Sequence, residues 1–348
     1  MKPLIAIDAD VLGRRRTGDE TYAASLLREL APIADEERIV AITRRPDLVP
    51  DGIEPFALPA RSQSVRMAIG LPRALHRLAP ALGHFNYVVP PAYRRPAIVT
   101  VHDLSFESDP ELMGRRDRLM FRTFVPRSAR RAERVLAVSE RTKRDLVEHY
   151  RIPEEKIVVT PNGVDPIFQP NGSAPKGPPY VLFVGGIQPR KDPVTAIEAL
   201  ARIDGDLRLV LVGDEKRGGD ELRSAIRRLG LERRVEFAGY VEHEGLASLY
   251  RGAACLVFPS RYEGFGLPVL EAMASGTPVV ATTAGAVPEV AGDAAVLVEP
   301  GDPEAFADGI RQALGDRERL VAAGLERARR FTWAETARRT LEVYRELL

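Results

Sequence analysis

The sequence predicts an α/β protein made of two domains of similar size. Short β-branched runs alternate with longer amphipathic stretches, a pattern typical of βαβ units around a parallel sheet. The alternation stops at "QPNGSAPKGPP" (169–179), a Pro-, Gly- and Ser-rich stretch that is typical of a linker, and restarts at Tyr180. A length of 348 residues is sufficient for two hydrophobic cores.

The first half contains five apolar runs that we interpret as buried strands. Between them, "DETYAASLLREL" and "SERTKRDLVEHY" carry apolar residues at helical spacing. The strands are predicted at 4–8, 38–43, 97–104, 134–139 and 156–161.

The second half contains six such runs and ends in an amphipathic helix. The final segment, 334–348, is consistent either with a helix that covers the second domain or with one that crosses back to brace the first. The strands are predicted at 180–186, 207–214, 234–240, 254–260, 278–283 and 295–300.

Composition excludes several classes of function. The net charge of +1 gives no general attraction to nucleic acid, and the single cysteine, Cys255, permits neither an internal disulfide nor a cysteine-based zinc site. The first residues lack the features of a signal peptide, and no apolar run approaches the roughly 18 residues of a membrane span. We therefore expect a cytoplasmic protein.

A glycine pair and two cations follow the first strand of the second half, in "VGGIQPRKDP". Gly185 and Gly186 allow a ligand to approach the backbone, and Arg190 and Lys191 supply positive charge just before a helix predicted to begin near Pro193. Cations beside a helix N-terminus suit a diphosphate. The alternative is an ordinary turn with exposed cations.

Two glutamates flank a glycine-rich loop in "RYEGFGLPVLEAMASG". Glu263 lies in the loop after a predicted strand, and Glu271 lies about one turn into the following helix. Paired carboxylates of this kind could accept hydrogen bonds from a polyol. Two alternatives stay open: a general acid/base pair as in glycosidases, or a capping glutamate beside a surface glutamate.

Three polar motifs end strands of the first half. His102 in "VTVHDLSF" is either a polar group facing a ligand or a locally satisfied histidine, and Asn162 with Gly163 in "TPNGVDPIF" is consistent with a turn. The "DAD" at 8–10 resembles an Asp-x-Asp metal motif, but no third acidic ligand is near, so we predict a turn and no metal site.

Two basic segments also lie in the first half. Arg14, Arg15 and Arg16 lie in the first βα loop. Residues 113–134 contain eight arginines and two acids interleaved with apolar residues, which indicates either a segment that lies on anionic lipid or a solvated helix face. Nucleic acid is not an expected partner, since the charge is confined to one segment and aromatic residues are few.

Together these motifs resemble the retaining glycosyltransferases of family 4, which have the GT-B fold. The stretch from "FPSRYEGFGLPVLEAMASGTPVV" to "EPGDPEAFA" is closely similar to that family, and its E-x7-E pair maps onto Glu263 and Glu271. The resemblance implies two Rossmann-like domains that face each other across a cleft. Residues 1–168 would bind the acceptor, 180–333 would bind the nucleotide sugar, and the helix 334–348 would pack back on the N-terminal domain.

The resemblance also implies roles for individual residues. Glu271 would bind the ribose, Glu263 the donor sugar, Lys191 the phosphate, and His102 would lie near the anomeric carbon. Both glutamates are then expected to be ionised hydrogen-bond acceptors. The implied catalytic residues are His102, Arg190, Lys191 and Glu263. The implied donor-binding residues are Gly18, Asn162, Gly185, Gly186, Tyr240, Val241, Gly264, Phe265, Gly266, Leu267 and Glu271.

Two departures from the family pattern change these expectations. Many relatives have arginine where Gly186 stands, so Arg190 is expected to take over the diphosphate contact. The first loop reads "TGDETY" instead of "TGIGRY", which keeps Gly18 but introduces Asp19 and Glu20. These acids, with Arg14, Arg15 and Arg16, are candidates for binding the acceptor.

The implied reaction transfers a hexose, with retention, from a nucleotide-diphosphate sugar to a saccharide or lipid-linked acceptor hydroxyl. No cofactor or metal is expected. The "GGIQPRKD" stretch is similar to that of mannosyltransferases and favours GDP-mannose over a UDP-sugar. The protein could contact the inner face of the membrane through 113–134. The alternatives are an epimerase or phosphorylase-like enzyme on the same architecture, or a non-catalytic nucleotide-sugar-binding module.

Overall fold

The computed structural model describes residues 2–14, 18–60, 62–108, 114–215 and 218–348. The chain forms two compact units. The first unit comprises Met1–Gly163 and Thr332–Leu348, and the second comprises Val164–Phe331.

The first unit contains a seven-stranded parallel sheet in the order β3-β2-β1-β4-β5-β6-β7. Most of its inner strands are apolar runs whose side chains are almost fully buried, as expected for a parallel sheet covered on both faces. The strands are β1 (Leu4–Asp8), β2 (Arg38–Thr43), β3 (Glu54–Ala57), β4 (Leu82–Asn86), β5 (Ala97–Val101), β6 (Arg134–Ala137) and β7 (Ile157–Val159), and the helices are α1 (Gly18–Leu30), α2 (Gln63–Val65), α3 (Leu71–Leu78), α4 (Ser105–Ser108), α5 (Arg115–Arg131) and α6 (Glu140–Tyr150).

Two strands of this sheet are absent from the sequence prediction. β3 is a four-residue edge strand that contains Pro55, and its side chains are mostly exposed, so it has no apolar pattern. β4 reads "LGHFN" and is buried although it contains Gly83 and His84. A Cβ at Gly83 would lie 2.7 Å from the Phe85 ring, so glycine is required there for packing and not for a turn.

The second unit contains a six-stranded parallel sheet in the order β10-β9-β8-β11-β12-β13. All six strands predicted from the second half of the sequence are confirmed. The strands are β8 (Tyr180–Val184), β9 (Arg208–Val212), β10 (Val235–Gly239), β11 (Cys255–Phe258), β12 (Val279–Thr282) and β13 (Val296–Val298), and the helices are α7 (Pro193–Leu200), α8 (Gly219–Arg228), α9 (His243–Gly252), α10 (Leu267–Ala274), α11 (Val287–Ala291), α12 (Pro303–Gly315) and α13 (Arg317–Ala328).

The C-terminal helix, α14 (Trp333–Glu346), belongs to the first unit and packs against α1. Of the two positions considered for this segment, the helix therefore takes the one that braces the first domain. A buried polar chain attaches it to the sheet. The Tyr344 hydroxyl lies 2.5 Å from His84 Nδ1, His84 Nε2 lies 2.7 Å from Thr100 Oγ1, and that hydroxyl lies 3.0 Å from the Tyr22 hydroxyl.

The division between the units differs from the predicted boundaries. The chain passes from one unit to the other at Gly163–Val164 and at Phe331–Thr332, whereas we predicted a linker at 169–179. That segment has the composition of a linker but lies on the surface of the second unit. There, Arg251 on α9 donates to the carbonyl oxygens of Ser173, at 2.8 Å, and Gln169, at 3.4 Å.

In the part of the chain that the structure describes, none of the helices combines the length and the apolar character that a membrane crossing requires.

We predict that Tyr344→Phe lowers the free energy of unfolding by about 1–3 kcal/mol, because it leaves a ring nitrogen of the buried His84 without its hydroxyl partner. Urea unfolding measures this change. Glu346→Gln, at an exposed position of the same helix, is the matched control and should change stability by less than about 0.5 kcal/mol. Equal stability of the Tyr344→Phe variant and the wild type would contradict a bracing role for the buried chain.

Candidate functional site

The loops after β8 and β11 lie side by side at the carboxyl edge of the second sheet, because these two strands are paired. The first loop carries Arg190 and Lys191 in a single 3₁₀ turn, Pro189–Lys191. The second carries Glu263 and leads into α10. Ligands of open parallel sheets bind at this edge. The structure thus brings together the cations and the glutamate that the sequence placed 72 positions apart.

Glu263 is buried and surrounded by groups that favour its charged form. Lys191 Nζ donates to Oε1 at 2.5 Å, the Ser260 hydroxyl donates to the same oxygen, and Arg190 Nη1 lies 3.4 Å from it. Burial by itself would raise the pKa of Glu263. The charges of Lys191 and Arg190, with the hydrogen bonds from Lys191 and Ser260, outweigh burial and hold the pKa below its usual value. Glu263 is therefore a carboxylate at neutral pH, as the sequence led us to expect.

Backbone contacts fix the two loops to one another. Arg261 N donates to Arg190 O at 2.8 Å, and Arg190 Nη1 donates to Tyr262 O at 2.5 Å. Gly285 packs directly behind the glutamate, with φ +64°, and a Cβ there would lie 2.4 Å from Glu263 O. No other residue fits this position without displacing the backbone that carries Glu263.

The helix N-terminus available for an anion is that of α10 and not that of α7. We predicted that α7 would present its N-terminus to a diphosphate. Instead, Asp192 caps α7 by accepting from Thr195 N at 3.4 Å, and its second oxygen accepts from Arg261 Nε at 3.0 Å. No described side chain caps α10, which begins after Gly266 at φ +107°. The backbone of Gly264, Phe265, Gly266 and Leu267 forms the turn at that end.

Glu271 lies on α10 in a less polar environment. Its Oε2 accepts from the Tyr250 hydroxyl at 2.8 Å, and the ring of Phe168 packs edge-on against Tyr250 at 5.6 Å. Burial raises the pKa of Glu271 to about 7. The Tyr250 hydrogen bond opposes that shift, and the charge of Asp165 adds to it. We expected both glutamates to be ionised, whereas the structure gives Glu271 a carboxyl group that is partly protonated at neutral pH.

The remaining candidates of the second unit lie in the loops at the same edge. Gly185 and Gly186 directly follow β8, and the aliphatic stem of Lys191 passes over Gly185. Tyr240 and Val241 directly follow β10, where Tyr240 is exposed and its hydroxyl donates to Glu242 Oε2 at 3.3 Å.

In the first unit, His102 is buried at the carboxyl end of β5. Its Nε2 lies 3.0 Å from Asn86 Oδ1, while Asn86 Nδ2 donates to Asp8 O at 3.3 Å. Asn86 must therefore accept from His102, so Nε2 carries the proton. Burial lowers the pKa of His102, and the nearby charges of Asp19 and Asp103 offset only part of that effect. His102 is accordingly a neutral imidazole.

The sequence motif at 8–10 lies in a cluster of arginines. Arg14 Nη2 donates to Asp10 at 2.8 Å, Arg44 Nε donates to the same carboxylate at 2.7 Å, and the fully buried Arg66 contacts both Asp8 and Asp10. The acids thus pair with guanidinium groups. Within the described ranges, no group of three or more His, Cys, Asp or Glu side chains could hold a metal ion.

The candidate residues near the loop after β1 differ in how far their side chains are buried. Gly18 begins α1 and is exposed, and Asp19 is half-buried. Glu20 is buried, and its Oε1 accepts from Gly13 N at 2.6 Å, so this carboxylate holds the loop backbone in place.

Asn162, which follows β7, is also buried, and its Oδ1 has no hydrogen-bond partner among the described residues. Arg15 and Arg16 lie outside the described residues.

Sequence reasoning missed four residues that hold the site together: Tyr250, Ser260, Asp192 and Asn86. Ser260 and Asp192 were within reach, since each lies next to a motif already singled out. Tyr250 and Asn86 carried no signal, because each contacts its partner only through tertiary packing, across 21 and 16 positions respectively.

We predict that Glu271 makes the stability of the protein fall as pH rises from about 5 to 8. Its pKa of about 7 in the folded state exceeds the ordinary value of 4.5, so folding favours the protonated form and that advantage is lost as the group ionises. Urea unfolding of wild type and Glu271→Gln should show the wild type losing roughly 2 kcal/mol relative to the variant over this range. Parallel pH profiles for the two proteins would rule this out.

Two family models together match nearly the whole chain. The model for glycosyltransferase family 4 matches residues 16–168, and the model for glycosyl transferases group 1 matches residues 165–331. The first match falls on the unit that contains His102, and the second on the unit that contains Lys191, Glu263 and Glu271.

Comparisons with individual proteins give the same family. The chain is 33% identical to an O-antigen chain mannosyltransferase B from Escherichia coli over 75% of this chain and 73% of that protein. It is 32% identical to a D-inositol 3-phosphate glycosyltransferase from Nocardia farcinica over 85% and 71% of the two chains. A sucrose-phosphate synthase from Thermosynechococcus elongatus superposes with a TM-score of 0.82 at 24% identity, covering 99% of each chain. The chain therefore belongs to glycosyltransferase family 4 and has the GT-B fold.

Proposed function

We propose that the protein is a retaining glycosyltransferase that moves a hexose from a nucleotide-diphosphate sugar to a hydroxyl group of a saccharide or lipid-linked acceptor. The observation that carries this proposal is the group formed by Arg190, Lys191 and Glu263, in which two cations share one buried carboxylate. Both cations stand at the carboxyl edge of the sheet, where ligands of parallel sheets bind. Such an arrangement suits an anionic group that must stay close to a sugar.

The positive charge of Arg190 and Lys191 matches the chemistry of the leaving group. When the bond to the anomeric carbon breaks, negative charge develops on the diphosphate, and fixed cations stabilise it most in a buried site. The Lys191 ammonium is a cationic hydrogen-bond donor at this edge, and we assign it to a phosphate oxygen. Arg190 and the uncapped start of α10 supply further donors. With these groups the reaction requires no metal or cofactor.

The two glutamates then bind different parts of the donor. We assign Glu271 to the ribose hydroxyls and Glu263 to the hydroxyls of the hexose, since Glu263 lies beside the phosphate-binding cations. The backbone at Tyr240 and Val241 is assigned to the edge of the base, and the backbone from Gly264 to Leu267 to the phosphate. A carboxylate bound to Lys191 is a poor proton carrier, which makes an acid/base role for Glu263 the weaker alternative.

The first unit is assigned to the acceptor. His102 is neutral and donates from Nε2, so it can act through polar contacts without adding charge. Asp19 is near enough for its charge to act on His102, and we assign it to a hydroxyl or amine of the acceptor. We propose a front-face route, in which the departing phosphate helps to accept the proton of the acceptor hydroxyl. We assign no side chain as a nucleophile.

We propose GDP-mannose as the donor, with a UDP-sugar as the alternative. The "GGIQPRKD" sequence and the E. coli relative, which is a mannosyltransferase by name, support mannose. The N. farcinica relative is named for a phosphorylated acceptor, inositol 3-phosphate. Arg14 and Arg44, which are both partly exposed, could bind an anionic acceptor of this kind.

The donor proposal predicts nucleotide-dependent stabilisation and turnover that depend on Lys191. GDP-mannose should raise Tm more than UDP- or ADP-sugars, and Lys191→Ala should reduce donor hydrolysis or transfer by roughly 10²–10³-fold, because it removes a donor to the leaving group. Lys176→Ala, at an exposed lysine of the same unit, is the control. NMR of the product reports whether the anomeric configuration is retained.

Four outcomes would contradict this assignment. The absence of a Tm shift with every nucleotide sugar would exclude donor binding. Epimerised donor without transfer, or sugar phosphate formed with free phosphate as the acceptor, would indicate one of the alternative enzymes. Background turnover in both wild type and Lys191→Ala, together with tight nucleotide binding, would indicate a binding module.

We further propose that α5 contacts the surface of an anionic membrane. Leu119 and Met120 are 69% and 46% exposed on this helix, and Arg115, Arg116 and Arg127 are exposed around them. Exposed apolar side chains among cations suit the boundary between acyl chains and anionic headgroups. Such contact would hold the protein at the inner face of the membrane, near a lipid-linked acceptor.

This surface predicts binding to phosphatidylglycerol vesicles and not to phosphatidylcholine vesicles in a sedimentation assay. The double variant Leu119→Ser/Met120→Ser should weaken that binding roughly tenfold, since it removes the apolar area that these two side chains would bury in the membrane. Leu48→Ser, at another exposed leucine of the same unit, should have no effect. Equal binding by wild type and the double variant, or equal binding to both lipids, would contradict the proposal.

A further inference from the structure

The second unit contains a buried tyrosine bonded to the glutamate that we assign to the ribose. Tyr250 lies on α9, is fully buried, and donates from its hydroxyl to Glu271 Oε2. We propose that Tyr250 is a positioning residue for donor binding: it holds one oxygen of Glu271, so that the other oxygen, Oε1, is presented to the ribose hydroxyls. This inference rests on the proposed role of Glu271.

The two oxygens of Glu271 have different environments. Oε2 is engaged by Tyr250 at 2.8 Å, whereas Oε1 has no hydrogen-bond partner within the described residues. Glu271 is 9% exposed, and Oε1 is the oxygen that keeps access to solvent, so a ligand can reach it. The hydroxyl groups of a ribose are donors of the required kind.

Tyr250 is itself held firmly enough to act as a fixed point. Its ring packs edge-on against Phe168, and its carbonyl oxygen accepts from the Thr277 hydroxyl at 2.5 Å. Burial holds the pKa of Tyr250 well above its usual value, so the hydroxyl keeps its proton and acts as a donor. The final torsion of a glutamate side chain is broad, and a bond to one oxygen fixes the plane of the carboxylate.

The charged groups around Glu271 give this arrangement a pH dependence. Asp165 and Tyr250 act directly on its carboxyl group, and His243 lies one ring farther away, packed against Phe168. A carboxylate that accepts from ribose hydroxyls is favoured in its ionised form, so nucleotide affinity should rise as pH rises through about 7. The Tyr250 bond lowers the pKa of Glu271, and its loss should move this rise to higher pH.

Calorimetric titration of the full-length chain with GDP, and in parallel with UDP, tests the inference between pH 6 and 9. Tyr250→Phe should weaken nucleotide affinity about tenfold at pH 7 and shift the pH midpoint of affinity upward. Tyr180→Phe is the matched control, because the Tyr180 hydroxyl donates to Leu249 O on the same helix at 2.7 Å and does not contact Glu271. The control should bind as tightly as wild type, with an unchanged midpoint.

Two comparisons separate the possible failures. In the first, Glu271→Gln binds nucleotide weakly, but Tyr250→Phe binds within twofold of the Tyr180→Phe control. That result would overturn the inference and leave the proposed function intact. Unchanged binding by Glu271→Gln would instead overturn the ribose assignment itself. A Tyr250→Phe/Glu271→Gln double variant should bind no more weakly than Glu271→Gln alone, and fully additive losses would contradict the positioning role.

Discussion

The buried negative charge of Glu263 is the constraint on which the loops at the carboxyl edge of the second sheet depend. An isolated carboxylate at this depth would be unfavourable by several kcal/mol, and removing one partner of such a pair costs more than the pair contributes. Lys191, Arg190 and Ser260 compensate the charge, and they belong to the two loops that follow β8 and β11. The same contacts that permit burial therefore fix the geometry of both loops.

This compensation explains how two glutamates close together in sequence come to have pKa values that are shifted in opposite directions. Cations outweigh burial at Glu263, whereas burial dominates at Glu271, where a tyrosine hydroxyl is the hydrogen-bond donor. Groups whose surroundings push their pKa values apart mark functional sites in many enzymes. Here the difference gives one carboxylate that stays charged beside Arg190 and Lys191 and another that titrates near neutral pH.

In the first unit, ring contacts and buried hydrogen bonds connect His102 to the C-terminal helix. The ring of Tyr22 packs edge-on against His102 at 4.8 Å, and the Tyr22 hydroxyl belongs to the buried chain that runs through Thr100 and His84 to Tyr344. The C-terminal helix is thus joined by contacts to the edge of the sheet that carries His102. A helix that returns from the end of the chain stabilises the unit and also packs the surroundings of a candidate catalytic residue.

The sequence alone determined the fold class and all six strands of the second sheet, and it singled out Arg190, Lys191 and Glu263, which the structure brings together. These features depend on local patterns, since apolar runs specify buried strands and glycine, cation and carboxylate motifs follow strand ends. It did not reveal β3 and β4, whose residues lack an apolar pattern because one is an exposed edge and the other buries a glycine and a histidine.

The tertiary structure decided which partners those residues have. The bond from Arg261 to Asp192, the pairing of Arg66 with the acids at 8–10, and the bond from Tyr250 to Glu271 each join elements that are separate in the sequence. The same is true of the protonation of Glu271, because a pKa depends on burial and on the charges nearby. Sequence patterns identify the groups of this site, whereas packing decides their charge and orientation.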